Sequence, residues 1–191
     1  FYSPQDAGIY LSVVLEPKGS LQESLLLTAE AAVAVYKAVK KVTGIDLDIK
    51  WVNDLYHNGK KVCGILTEAV TDFESGNIEF AVVGIGLNIF EAAEGYPEAI
   101  KGIAGGIYES REAAGELERS RLAAEIVNAL LEETKELRLP PEYIEHNIVP
   151  GREICISDGD KVRSAKALEI CPDGRLKVKA ADGSLSVLSY G

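Results

Sequence analysis

Methionine is absent from all 191 residues. No initiator residue is present, a turn and strand are already under way at 1–12 (FYSPQDAGIYLS), and a strand-like pattern still runs at 184–191 (SLSVLSYG). The chain therefore reads as a piece of a longer protein. Cysteine is scarce: Cys63, Cys155 and Cys171 are odd in number and far apart, with neither a CxxC pair nor a zinc spacing with histidine. That argues against a disulfide scaffold and for a reduced, cytoplasmic chain, with Cys63 a core residue inside an apolar strand pattern. Positive charge is also short. The formal net charge is -10 and no basic stripe occurs, so nucleic acid is not an expected partner of this chain. No apolar run approaches transmembrane length and no basic segment precedes one at the start, so no membrane role is expected. The 47% hydrophobic content is enough to bury the core of one medium domain with a small appendage.

What is present is a sequence of short, well-punctuated elements. Residues 8–15 (GIYLSVVL) read as a strand before the Pro17-Lys18-Gly19 turn. Leu21 to Val42 reads as a long helix with almost no polar face between 25 and 36, so it is buried on several sides, with Gly44 ending it. A short strand covers 47–52. Asn58-Gly59 marks a hairpin between Leu55–His57 and Lys60–Val70. The apolar run 78–89 reads as a central strand. A glycine-rich loop spans 95–106, an amphipathic helix 119–137, and Pro140-Pro141 breaks it before a further helical turn at 142–147. After Pro150-Gly151 four short strands at 153–157, 162–170, 175–179 and 184–188 alternate with Asp-Gly turns at 158, 173 and 182, the signature of a small antiparallel barrel or meander. The domain boundary falls near 149.

Chemistry concentrates in Lys50–Glu68 (KWVNDLYHNGKKVCGILTE) and Gly84–Asn88 (GIGLN). Lys50, Asn53 and Asp54 flank Trp51, either as a structural turn or as a polar set that orients a ligand. Unbroken strand alternation puts Lys61 on the face of Cys63 and Ile65, and Lys60 on that of Val62, Gly64 and Leu66. From alternation alone, both ammonium groups snorkel to water at the hairpin mouth. Gly84 and Gly86 share one strand face with Asn88, leaving a groove where a flat ligand can pack, or where the long helix packs tightly. No Rossmann glycine pattern follows.

Taken together, Phe1-Tyr2-Ser3-Pro4 to Tyr10-Leu11-Ser12, Lys50-Trp51-Val52-Asn53-Asp54, Lys61-Val62-Cys63-Gly64-Ile65-Leu66-Thr67-Glu68 and Gly84-Ile85-Gly86-Leu87-Asn88 resemble, in order and spacing, the motifs of biotin–protein ligases. Phe1 stands where the family has tryptophan and Val52 where it has proline. The resemblance implies an α+β fold. A mixed sheet of the class II synthetase and biotin–lipoate ligase type, at residues 1–149, is followed by a small SH3-like barrel at 150–191. It implies ATP-dependent formation of biotinyl-5′-AMP and transfer of biotin to a lysine of a biotin carboxyl carrier protein, and it admits a homodimer. Alternatives are a lipoate ligase-like acyltransferase and a catalytically silent biotin-binding relative. By motif position Lys61 contacts biotin and the adenylate on the ligand face. Gly64, Ile65 and Leu66 line the biotin slot, and Gly84 and Gly86 belong to the same ligand groove. Lys50, Asn53, Asp54 and Asn88, beside Trp51, hold the adenylate, its phosphates or magnesium, for which Asp54 is the carboxylate. The family's Gly/Arg-rich closing loop belongs before Phe1 and its Ser/Thr-rich biotin segment further upstream. Residues 1–191 alone are therefore expected to bind biotin weakly.

Overall fold

The computed structural model describes residues 2–20, 23–72, 74–158 and 161–190. Phe1, Leu21 and Gly159, on which expectations above fall, lie outside them. The chain runs β1 (Gly8–Leu15), α1 (Ser24–Thr43), β2 (Asp48–Lys50), β3 (Asp54–His57), β4 (Lys60–Thr71), β5 (Ile78–Asn88), α2 (Arg111–Ala114), α3 (Arg119–Glu133), α4 (Pro141–Glu145), β6 (Glu153–Asp158), β7 (Lys161–Ile170), β8 (Leu176–Ala180) and β9 (Leu185–Leu188).

The first five strands form one sheet in the order β1-β5-β4-β3-β2, and the last four form a second, β6-β7-β8-β9. Every strand pair is antiparallel. The mixed sheet expected from the sequence is thus an antiparallel one. Parallel pairing appears among the described residues only as isolated bridges, Ile49–Asn147, Lys61–Ala104 and Phe90–Tyr108. The second sheet has β6 and β9 as its edges. Among the described residues it is an open meander rather than a closed barrel.

Helix α1 explains the two faces of the large sheet. Its side chains from Leu26 to Val35 are all buried, because the sheet lies beneath it and α3 beside it. Leu27, Val33 and Val39 are wholly inaccessible, and each such burial is worth roughly 1.5–3 kcal/mol. Gly44 follows with φ 76° and donates its N–H to Lys40 O at 2.9 Å. That left-handed geometry suits glycine. One acid is trapped in the helix: Glu30 is 0% exposed. Its Oε1 accepts from Arg138 N at 2.8 Å, and burial pushes its carboxyl up to about 7. The sheet face under α1 takes Cys63, Ile65, Val83, Ile85 and Leu87, all nearly inaccessible. Burial pushes the Cys63 thiol up. The opposite face carries Tyr10, Val14 and Leu66, all exposed, and it is there that a ligand can approach.

Helix α3 and the stretch before it differ from expectation. Helix α3 stops at Glu133 instead of 137, where the Thr134 hydroxyl takes the Leu130 carbonyl at 2.8 Å. Leu137 still packs against the core. A short helix, α2, also lies between the 95–106 loop and α3, where no element was expected; its N-terminus is capped by Ser110 Oγ accepting from Ala113 N at 3.3 Å.

Candidate functional site

The register of the large sheet lines up the motif residues in rows. One row reads Tyr10, Gly86, Gly64, Asp54 and Lys50 across β1, β5, β4, β3 and β2; the next reads Ser12, Gly84 and Leu66. Three glycines thus sit together on the open face and leave bare backbone. A Cβ on Gly84 would meet only Leu66, at 3.6–3.9 Å, which is ordinary contact. Packing within the chain does not demand that glycine; it keeps the floor flat. Around this floor is a cleft of about 580 Å³ lined by Ser3, Tyr10, Ser12, Asn53, Lys61 and Leu66.

Lys61 reaches this face by a route that alternation does not give. Tyr56 pairs with Lys61 but Leu55 pairs with Cys63, so Val62 is an extra residue in β4. This β-bulge resets the alternation. Val62 and Cys63 are both fully buried, which an unbroken strand does not allow. Cys63 and Ile65 point under the sheet, toward α1. Lys61 joins Gly64 and Leu66 on the cleft side, while Lys60 is left exposed. Ile65 borders the cleft with its main chain, since its side chain is 2% exposed. The Lys61 ammonium lies 2.5 Å from Asp54 Oδ1. Asn53 is held by two bonds, its Nδ2 donating to Ile65 O at 2.7 Å and its carbonyl accepting from Ile65 N at 2.9 Å.

Other expected ligand residues lie elsewhere. Trp51 is 7% exposed and donates its indole N–H to Gly174 O at 2.9 Å. It is a bracket to the turn between β7 and β8. Lys50 stands on the edge strand, its ammonium 5.5 Å from the centre of the Tyr56 ring. Both border a second groove of about 580 Å³, which Asn53 and Asp54 also line, against Ile154, Leu176 and Leu188. Asn88 is 4% exposed. The 104–107 segment roofs it, and its Nδ2 donates to Gly105 O at 3.1 Å. Its Oδ1 has no partner among the described residues.

Sequence reasoning quoted Ser3, Tyr10 and Ser12 within motifs but gave them no role. Alternation along β1 was the available signal, because it puts Tyr10 and Ser12 on one face. Partial burial, then the neighbouring Tyr2, raises the Tyr10 phenol, which keeps it a neutral hydroxyl. Tyr143 had no signal. Its buried hydroxyl donates to Val52 O at 2.7 Å and pins the turn that carries Asn53. A larger hollow of about 700 Å³ lies beside Phe90. Its rim carries Asp6, Glu91, Glu94, Glu109 and Glu112 against Arg111, a field that repels anionic substrates. The glycine cleft has the opposite character, with an ammonium at its wall.

A bare glycine strip on a sheet face, walled by a lysine and hydroxyl side chains, has the build of a small-ligand cleft. Residues 1–88 match the model of the Biotin/lipoate A/B protein ligase family. The chain is 32% identical over 201 residues to the Bifunctional ligase/repressor BirA of Bacillus subtilis (strain 168), covering 99% of this chain and 59% of that protein. The same figures hold for the protein of that name from Bacillus spizizenii. The chain therefore spans well under two thirds of the length of these relatives. Among solved structures, the apo biotin protein ligase from Aquifex aeolicus has a TM-score of 0.76 at 22% identity, over 96% of this chain and 80% of that one. The same enzyme in complex with biotin and ATP has a TM-score of 0.73 at 22% identity, over 98% and 77%. At that identity the likeness speaks for the fold.

Proposed function

We propose that this chain carries the activating cleft of a biotin–protein ligase acting in the cytoplasm. In the first step a biotin carboxylate oxygen attacks the α-phosphorus of ATP; biotinyl-5′-AMP forms and pyrophosphate leaves. In the second step a lysine amine of a biotin carboxyl carrier protein attacks the acyl carbon. The amide forms, AMP leaves with the acyl C–O bond electrons, and the amine gives up a proton. The observation that carries the reading is the three-glycine floor of Gly64, Gly84 and Gly86 with Lys61 fixed at its wall by Asp54. The floor admits a flat fused ring at van der Waals distance. The ammonium meets charge that builds on carboxylate and phosphate oxygens as the anhydride forms, where a preorganised cation is most effective.

The other residues divide the remaining work. Ser12 and Tyr10 offer hydroxyls to the polar edge of the ring, and Leu66 covers its apolar part. Asn53 and Asp54 flank the phosphates. Asn88 has a buried Oδ1 available to a donor group of the adenylate. Magnesium enters with the nucleotide, because it prefers phosphate, carboxylate and water oxygens. Among the described residues no three His, Cys, Asp or Glu side chains form a metal cluster. Asp54, shared with Lys61, is the carboxylate at hand. Residues 1–149 form the catalytic unit and 150–191 an SH3-like unit in this reading, with a homodimer as its assembly.

Lys61→Ala tests the proposal. ATP–pyrophosphate exchange dependent on biotin is expected from the protein and should fall by at least roughly 10²-fold in the variant, the scale of losing one preorganised charge contact, with the melting temperature kept. Exchange at the parent rate in Lys61→Ala would sink the role of Lys61. Because the matched family includes lipoate ligases, the assay is run with lipoate as well; exchange with lipoate alone would replace biotin as the substrate.

A further inference from the structure

We propose that segment 103–106 is a clamp that positions Lys61, and that Gly105 is the residue whose lack of a side chain sets the clamp's closure. This rests on the reading of Lys61 as the activating lysine of the cleft.

The start of β4 lacks a strand neighbour on its β5 side. Its ladder with β5 begins only at Cys63–Leu87, because β5 ends at Asn88. On the other side Lys60 and Lys61 pair with His57 and Tyr56 of β3, and the register shifts at Val62. Lys61 therefore has an open main-chain edge toward β5. A segment from outside the sheet takes the vacated place: Lys61 N donates to Ile103 O at 2.8 Å, and Gly105 N donates to Lys61 O at 3.0 Å. Both polar groups of the Lys61 main chain are thus held by 103–105 in a single parallel bridge.

The segment is itself tied down. Asn88 Nδ2 donates to Gly105 O, Ile107 N donates to Asn88 O at 3.1 Å, and Gly106 N donates to Glu91 Oε1 at 3.2 Å. Space is tight at both glycines. A Cβ on Gly106 would come within 2.5 Å of Glu91 N, a main-chain atom. A Cβ on Gly105 would lie 2.8 Å from Lys60 Cβ and 2.9 Å from Lys60 Cδ. Gly105 has no positive φ, so alanine is opposed there not by backbone conformation but by side chains, Lys60 above all and then Glu91 Oε1 at 3.2 Å. Any relief moves Lys60, and Lys61 with it. A displacement on the order of 1 Å in a reacting group costs about 10²-fold in rate, so a contact that fixes the Lys61 main chain contributes to chemistry without touching substrate. Gly105 is a positioning residue.

The test is steric complementation. Gly105→Ala, Lys60→Gly and the double variant are compared with the parent protein. Biotin-dependent kcat and the KM for ATP are read from pyrophosphate exchange, the hydrogen exchange of the Lys61 amide from NMR, and stability from melting. Gly105→Ala is expected to lower kcat roughly 10- to 100-fold, with KM within a few-fold, and to speed exchange of the Lys61 amide. The double variant removes both clashing carbons and should regain most of the rate and the amide protection. Parent kcat in Gly105→Ala, or an equal loss in the double variant, overturns the clamp. If the parent shows no exchange activity, the functional reading falls and the amide readout alone judges the clamp: faster exchange reversed by Lys60→Gly supports it, and an unchanged amide refutes it.

Discussion

Trp51 and Asp54 are separated by a two-residue turn and serve different parts of the molecule. Trp51 is buried and gives its indole N–H to the Gly174 carbonyl, tying the large sheet to the small one. Asp54 lies in the floor row of the cleft and takes the Lys61 ammonium. Between them the Val52 carbonyl is held by Tyr143. The five-residue motif is therefore a joint with two attachments, one to the small sheet and one to Lys61. Sequence contiguity does not make a contiguous site, because a tight turn sends neighbouring side chains in different directions.

The largest effect expected from this division falls on Trp51. Trp51→Ala removes a buried indole and should cost about 3–5 kcal/mol of stability, seen as a lower denaturant midpoint. Trp51→Phe keeps most of the packing but strands the Gly174 carbonyl, at about 1–3 kcal/mol. Cleft chemistry in the folded Trp51→Phe protein should stay near the parent. A Trp51→Phe protein of parent stability and lost exchange activity would move Trp51 to the cleft side and dissolve the distinction.

That distinction marks the limit of what the residues alone convey. The hairpin at Asn58-Gly59, the buried α1, the glycines of β5 and the Asp-Gly rhythm after Pro150 are local signals, and each element forms where its own sequence favours it. Lys61 was placed on the ligand side by resemblance, yet strand alternation put it on the wrong companions, because the bulge at Val62 depends on how β3 and β4 pair. Trp51 looked like a ligand residue because its bond partner is Gly174, far along the chain. Asn88 looked open because the segment that roofs it comes later, at 104–107. For Trp51 and Asn88 the missing information is a long-range contact, and for Lys61 it is the hairpin register; neither periodicity nor turn chemistry encodes these.

Asp54→Asn sharpens the cleft side of the comparison. The variant keeps the shape and removes the charge that holds Lys61. Pyrophosphate exchange should fall by roughly 10²-fold. Stability should change by less than about 1 kcal/mol, since the lysine remains partly in water. A large loss of stability with retained exchange would make the pair a structural ion pair and leave the cleft without its anchor for Lys61.

Lys50 is the smallest and most discriminating case, because it shares the sheet row with Asp54 while standing on the outer strand. Its ammonium is 3.5 Å from the Tyr56 hydroxyl and faces that ring, an exposed cation–π contact worth about 0.5–1 kcal/mol. Lys50→Ala should therefore lower stability by no more than about that amount and leave kcat/KM within a few-fold of the parent. A fall beyond about tenfold, equivalent to 1.4 kcal/mol of transition-state stabilisation, would mean that Lys50 swings from Tyr56 toward the phosphates when nucleotide arrives. The cleft side of the joint would then extend across the whole row, from Tyr10 to the edge of the sheet, and only Trp51 would remain on the side of the small sheet.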